Sequence, residues 1–183
     1  MFNKLVSLVV LVILSPIFLF IAMIIFMNDG FPIFFRQKRI GKNNKIFLIY
    51  KFRTMRNDTP NLATHKLQSS KSYLIKSGEF LRKYSLDELP QFINVILGDM
   101  NIIGPRPALY NQHNLIKLRN KFGICSLRPG ISGWAQINGR DNISIREKID
   151  LDYYYLENKS IFLDIKILIL TLKKVVFSEN LKI

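Results

Sequence analysis

The chain has 183 residues, with 27 basic against 13 acidic side chains and a formal net charge of +14. That length suits one domain with a sizeable core and argues against two independent ones. The single cysteine, Cys125, excludes an internal disulfide and fits a cytosol-facing protein, while the charge calls for an anionic partner such as nucleic acid, anionic lipid or a phosphorylated substrate.

Leu5 to Met27 is an uncharged apolar run of 23 residues. As a straight helix it would reach roughly 35 Å, enough for a bilayer core of about 30 Å. It is too long for the apolar region of a signal peptide, and it ends at Met27-Asn28-Asp29-Gly30 without a small-residue cleavage site. Length alone reads as a transmembrane anchor. Two features point to a hairpin instead. Pro16, next to Ser15 in mid-run, lacks an N–H and crowds the carbonyl one turn back, so the helix kinks there, and the Ser15 hydroxyl can bond a freed carbonyl. Lys4 precedes the run, and Arg36, Lys38, Arg39, Lys42 and Lys45 follow it. Basic flanks belong on the cytoplasmic side. A re-entrant helix–break–helix over residues 1–30 satisfies both flanks and leaves residues 31–183 as a cytoplasmic domain.

Phe31–Arg39 and Lys45–Met55 read as two strands joined by a turn at Gly41-Lys42-Asn43-Asn44. In the second strand Ile46, Leu48, Tyr50 and Phe52 alternate with Phe47, Ile49, Lys51 and Arg53. Lys51, Arg53 and Arg56 then form either a solvated basic edge or a site for a phosphate or lipid headgroup. Residues 57–72 are polar and loop-like. Helices are expected over Gly78–Lys83, Leu89–Leu97, Tyr110–Phe122, Ser144–Leu156 and Phe162–Phe177. The last is apolar with Lys166, Lys173 and Lys174, and suits either an anionic membrane surface or a core with a solvated lysine face. The fold class is α+β, mostly helical, with a small β-hairpin.

The centre of the chemistry is Ser85-Leu86-Asp87-Glu88-Leu89-Pro90-Gln91. Ser85 and Glu88 match a capping box, and Asp87 could itself cap the following helix. Adjacent carboxylates at a helix start can also hold Mg²⁺, which takes one or two carboxylates plus substrate phosphates, and a carboxylate can attack phosphorus. Further on, Pro105 and Pro107 bracket Arg106 in Gly104-Pro105-Arg106-Pro107. The prolines hold the arginine on a stiff, extended tripeptide suited to a phosphate that gains charge. Arg128-Pro129-Gly130 leads into Ile131-Ser132-Gly133-Trp134-Ala135-Gln136-Ile137-Asn138-Gly139-Arg140. Its glycines would let backbone approach a ligand, and Gln136 and Asn138 would share a face in an extended segment. Trp134 suits a core or interface position. Asp150-Leu151-Asp152 matches the short Asp-x-Asp pattern of nucleotide-sugar glycosyltransferases.

Together these segments resemble the bacterial sugar transferases, the monotopic phosphoglycosyl transferases. The matching pieces are Ser15-Pro16, Ile49-Tyr50-Lys51-Phe52-Arg53-Thr54-Met55, Ser85 to Gln91, Gly98-Asp99-Met100, Gly104 to Pro107, Arg128 to Arg140 and Asp152-Tyr153-Tyr154-Tyr155, in order over nearly the whole chain. The resemblance implies a monotopic protein of the bacterial inner membrane, with a re-entrant helix broken at Ser15-Pro16 and an active site on the cytoplasmic face. It implies Asp87 as nucleophile, Glu88 as metal-binding partner with Asp87 beside it, and Mg²⁺ as cofactor. It places Arg106, with Lys51, Arg53 and Arg128, at substrate phosphates, and Pro105, Pro107, Gln136, Asn138 and Arg140 near the nucleotide or sugar. The implied reaction moves a sugar 1-phosphate from a UDP-sugar to undecaprenyl phosphate and releases UMP, at the start of capsule or O-antigen assembly. Asp58 to Thr64 and Pro107 to Gln112 resemble a subgroup handling deoxy amino sugars such as UDP-N-acetylfucosamine. The family's opening basic pair before Phe-Asp is missing, with Phe2-Asn3 in that place, and the chain reads as a minimal form without the extra transmembrane helices of larger relatives.

Two rivals remain at this level. A metal-dependent glycosyltransferase using Asp150 and Asp152 would release UDP instead of UMP. A membrane-anchored nucleic-acid-binding protein fits the charge, but the basic residues are dispersed and carry no nucleic-acid motif, so anionic lipid, not nucleic acid, is the expected partner.

Overall fold

The computed structural model describes residues 2–59, 70–139 and 143–176. Arg140, Phe177 and residues 60–64 of the subgroup segment lie outside them. The apolar run is two helices, α1 (Phe2–Ile13) and α2 (Ser15–Asp29), bent by 62° at Leu14. Pro16 sits in the first turn of α2 and has no N–H to give the carbonyl of Val12. The Ser15 hydroxyl donates to that carbonyl instead, at 2.8 Å. No single helix among the described residues is long and apolar enough to cross a membrane, whereas the bent pair together has the length and composition. Each helix lays one face on the body. α1 runs along the helix at Gln91–Leu97, and α2 buries Ile21 and Ile25 against Phe52, Ile75 and Leu81. The opposite faces stay open, with Leu5, Val12, Leu19 and Met27 among the exposed apolar side chains.

The expected hairpin is present but shorter: β1 (Phe34–Ile40) pairs antiparallel with β2 (Ile46–Phe52), Phe34 opposite Phe52 and Ile40 opposite Ile46. Asn43 and Asn44 take left-handed conformations in the turn (φ 52° and 61°), which asparagine tolerates better than most residues. The two faces of β2 have different neighbours. Phe47 and Ile49 pack against Val95 and Met100, and Lys51 continues their face; Phe52, on the other, meets α2.

α3 (Gly78–Lys83) leads through a tight turn to α4 (Gln91–Leu97). The Asn94 side chain, fully buried, accepts from the Tyr50 N–H and donates to the Leu48 carbonyl, so it docks α4 onto the open edge of β2. Two three-residue strands, β3 (Asn101–Ile103) and β4 (Gly130–Ser132), pair in parallel. A Cβ on Gly130 or Gly133 would overlap the backbone of Gly104. Those glycines therefore admit another strand of the same chain, where a ligand was expected. The remaining helices are α5 (His113–Lys121), α6 (Trp134–Ile137), α7 (Ile145–Asn158) and α8 (Ile161–Val176). Ser144 and Glu147 close a capping box on α7. α8 buries Ile167 beside Ile103, Ile137 and Tyr155, and leaves Phe162, Ile165, Ile169 and Leu172 exposed.

Candidate active site

The two acids sit where the chain reverses between α3 and α4. A Cβ on Gly78 would overlap the Thr54 carbonyl, so α3 starts hard against the end of β2. Ser85 then adopts a left-handed conformation, φ 54° and ψ 22°, at a cost of roughly 1–2 kcal/mol for a residue with a Cβ. A single 3₁₀ turn, Leu86–Glu88, follows. Leu86 and Leu89 pack on the α2 cluster, and Asp87 and Glu88 are buried, 7% and 8% exposed. The capping alternative is overturned. Ser85 makes no side-chain cap bond, and α4 begins only at Gln91 with Pro90 in the cap position. Neither the 3₁₀ turn nor α4 has a side-chain cap bond, so Asp87 caps neither element.

Cations close around the pair. The Lys51 ammonium is 2.6 Å from Glu88 Oε1 and 3.6 Å from Asp87 Oδ2. An Arg106 Nη2–H donates to the same Glu88 oxygen at 3.0 Å. Arg82, one turn into α3, donates from Nε to the Thr54 hydroxyl at 2.9 Å and feels both carboxylates. No motif marked it; only the reversal at Ser85 brings it here. Burial pushes the Asp87 carboxyl above the usual carboxylate range and Glu88 adds to the rise, while Lys51, Arg82 and Arg106 oppose it. Two adjacent acids with three cations in a partly dehydrated site suit a carboxylate nucleophile meeting phosphate oxygens.

Arg106 stands on a loop held at four successive carbonyls. The Gly130 N–H donates to Pro105 at 3.0 Å, Arg119 Nη1 to Arg106 at 2.9 Å, Arg39 Nη1 to Pro107 at 3.0 Å and the Ile40 N–H to Ala108 at 2.9 Å. Pro105 and Pro107 are both buried. Their burial stiffens the loop on either side of Arg106, and Pro105 also lines a small cavity with Ala108 and Pro129.

Other expected site residues lie elsewhere. Arg53 is 4% exposed, and its guanidinium donates to the Asp29 carboxylate at 2.7 Å, to Asn57, and to the carbonyls of Asp29 and Gly30. Alternation sends Arg53 to the same face as Lys51, but the strand ends at Phe52, and in this structure the side chain ties down the end of α2 instead of joining the acid pair. Arg128 is exposed, its carbonyl beside Gly104. Gln136 and Asn138 share no face, because the segment is the short helix α6 and not extended; residues two apart on a helix are about 200° apart. Gln136 lies over the Ile131 carbonyl, and Asn138 donates back to the Trp134 carbonyl at 2.8 Å. Asp150 and Asp152 likewise diverge on α7: Asp150 is exposed and Asp152, 1% exposed, is paired with Arg119. The Asp-x-Asp alternative has no joint site there. Trp134 stacks on Tyr154 with ring centres 5.4 Å apart.

Among the described residues no group of three or more His, Cys, Asp or Glu could hold a metal ion. Asp87 and Glu88 remain as a pair of hard oxygen donors, the donor set that Mg²⁺ accepts when substrate phosphates complete its shell.

The sequence model of the bacterial sugar transferase family matches residues 1–178. Among curated proteins, the chain is 43% identical over 171 residues to the uncharacterized sugar transferase EpsL of Bacillus subtilis, covering 92% of this chain and 82% of that protein. It is 40% identical over 167 residues to the galactosyl transferase CpsE of Streptococcus agalactiae, covering 85% of this chain and 37% of CpsE. It is 37% identical over 172 residues to the UDP-glucose:undecaprenyl-phosphate glucose-1-phosphate transferase of Escherichia coli, covering 90% of this chain. There too the matched part is only 37% of the relative.

Proposed function

The chain belongs to the bacterial sugar transferase family, and from that premise we propose that it transfers a sugar 1-phosphate from a UDP-sugar to undecaprenyl phosphate. The observation that carries this reading is the buried Asp87–Glu88 pair ringed by Lys51, Arg82 and Arg106. The Escherichia coli relative, named for transfer of glucose 1-phosphate from UDP-glucose to undecaprenyl phosphate, supports the same reaction.

An Asp87 carboxylate oxygen attacks the β-phosphorus of the UDP-sugar. The bond from that phosphorus to the bridging oxygen breaks, and UMP leaves with the electron pair. A phosphosugar remains on Asp87. A phosphate oxygen of undecaprenyl phosphate then attacks the same phosphorus, the bond to Asp87 breaks, and the carboxylate is regenerated. Arg106 offers a planar fork to the phosphate oxygens, and Lys51 offsets charge on both acids. Glu88, with Asp87 beside it, would hold Mg²⁺, which when bound withdraws charge from phosphate oxygens.

The 62° bend at Ser15-Pro16, with open apolar faces on both helices, supports a re-entrant hairpin over residues 1–30. The body over 31–183 then lies on the cytoplasmic face of the inner membrane, with α8 against anionic lipid. For the sugar, we place deoxy amino sugars such as N-acetylfucosamine first among the donors. The test is a panel of UDP-sugars with undecaprenyl phosphate and a readout of the released nucleotide. UMP supports phosphosugar transfer; UDP contradicts it.

A further inference from the structure

We propose that Arg119 is a positioning residue for this transfer: anchored by Asp152, it grips the main-chain carbonyl of Arg106 and so fixes the guanidinium that meets Glu88. The inference rests on the phosphosugar-transfer reading above and adds a residue that the proposed chemistry does not use.

Arg119 projects from α5 and is 8% exposed, and Asp152 projects from α7 and is 1% exposed. Two of the arginine's donors go to one carboxylate oxygen, Nε at 3.1 Å and Nη2 at 2.6 Å. The third, Nη1, goes to the Arg106 carbonyl at 2.9 Å. The side chain of that same Arg106 reaches Glu88 Oε1 at 3.0 Å. The other three gripped carbonyls belong to Pro105, Pro107 and Ala108, whereas Arg119 holds the carbonyl of Arg106 itself. α5 and α7 already pack through Leu115 and Ile149, so joining the two helices does not require the third bond. A buried ion pair contributes little net stability over an apolar pair of the same shape. What this pair supplies is a guanidinium of fixed orientation beneath the catalytic loop, and Asp152 neutralises the charge that a buried arginine would otherwise leave uncompensated.

Lysine in place of Arg119 keeps the charge opposite Asp152 but cannot form the three-way fork. The test is a double-mutant cycle on the full chain in lipid nanodiscs, reading UMP release and thermal unfolding. Arg119→Lys should lower kcat about 10- to 100-fold, the scale of a misplaced catalytic group. In an Arg106→Ala background, where no guanidinium is left to position, the same change should cost less than about twofold. Should Arg119→Lys fail to fold, Asp152→Asn keeps the acid's shape, loosens the fork and is expected to show the same dependence on Arg106. Equal fold-losses in both backgrounds would mean a structural ion pair and overturn the proposal, as would wild-type kcat in Arg119→Lys. A wild type that releases no UMP from any donor overturns the transfer reading and, with it, the positioning role.

Discussion

The Lys51 ammonium lies 2.6 Å from Glu88 Oε1 across 37 residues of sequence, and the same nitrogen is 3.6 Å from Asp87 Oδ2. One cation thus serves two adjacent buried acids. Replacing it with an apolar chain of similar length leaves both acids short of a partner. Lys51→Met should lower kcat about 10²- to 10³-fold, the scale of losing a preorganised electrostatic group. It should cost about 1–3 kcal/mol of stability, since Arg82 and Arg106 still offset part of the charge. Thermal unfolding and UMP release measured on one preparation check both.

Arg106 offers a different test, because its loop is rigid and its charge is separable from its shape. Arg106→Lys keeps the charge, and its loop carbonyls keep their donors. Turnover should still fall about 10- to 100-fold, because an ammonium cannot match two phosphate oxygens in one plane. An unchanged melting temperature with reduced kcat is the expected pattern. Near-normal turnover would make the Pro-Arg-Pro stretch a structural loop.

The Arg53–Asp29 pair joins the end of α2 to the end of β2. Arg53→Met removes the partner of that solvent-exposed acid and several bonds to the carbonyls at the helix end, and should cost about 1–3 kcal/mol, mostly through the lost hydrogen bonds. Asp29→Ala should lower the melting temperature too, by breaking the same ion pair. Activity per folded molecule should survive in both. A loss of turnover confined to Arg53→Met, with stability intact, would return Arg53 to phosphate binding.

The bent apolar hairpin has a topological test. In a Cys125→Ser background, single cysteines introduced as Phe2→Cys and Phe31→Cys should both react with a membrane-impermeant reagent from the cytoplasmic side. Both positions are exposed, Phe2 at the start of α1 and Phe31 just beyond the end of α2. A periplasmic position 2 would restore a straight span and require the 62° bend to open.

How much of this was legible in the sequence depends on whether a local rule carried it. The break at Pro16 and the hairpin turn at Asn43-Asn44 follow from backbone chemistry, and the alternation in β2 placed Lys51 with Phe47 and Ile49. The acid pair and the stiff arginine loop were visible as residue types in a fixed order. Arg82 and Arg119 were not, because each reads as an ordinary helix-surface arginine until α3 docks on Thr54 and α7 brings Asp152. The helical turn that separates Gln136 from Asn138 was not legible, because four residues of α6 are too few to show a helical period. The strands β3 and β4 are three residues each and owe their pairing to glycines whose partners lie about 30 residues away.

The proposed transfer turns on Asp87 as the carrier of the phosphosugar. It caps no helix in this fold, so Asp87→Asn removes the proposed nucleophile while leaving the local hydrogen bonding nearly as it was. Intact-mass spectrometry of the quenched protein, given a UDP-sugar that yields UMP and no lipid acceptor, reads the intermediate directly. The wild type should gain the mass of one phosphosugar per chain, and Asp87→Asn should gain none and lose turnover. A wild type without the added mass, together with an Asn variant that still releases UMP, would contradict the account and favour direct transfer between the two substrates.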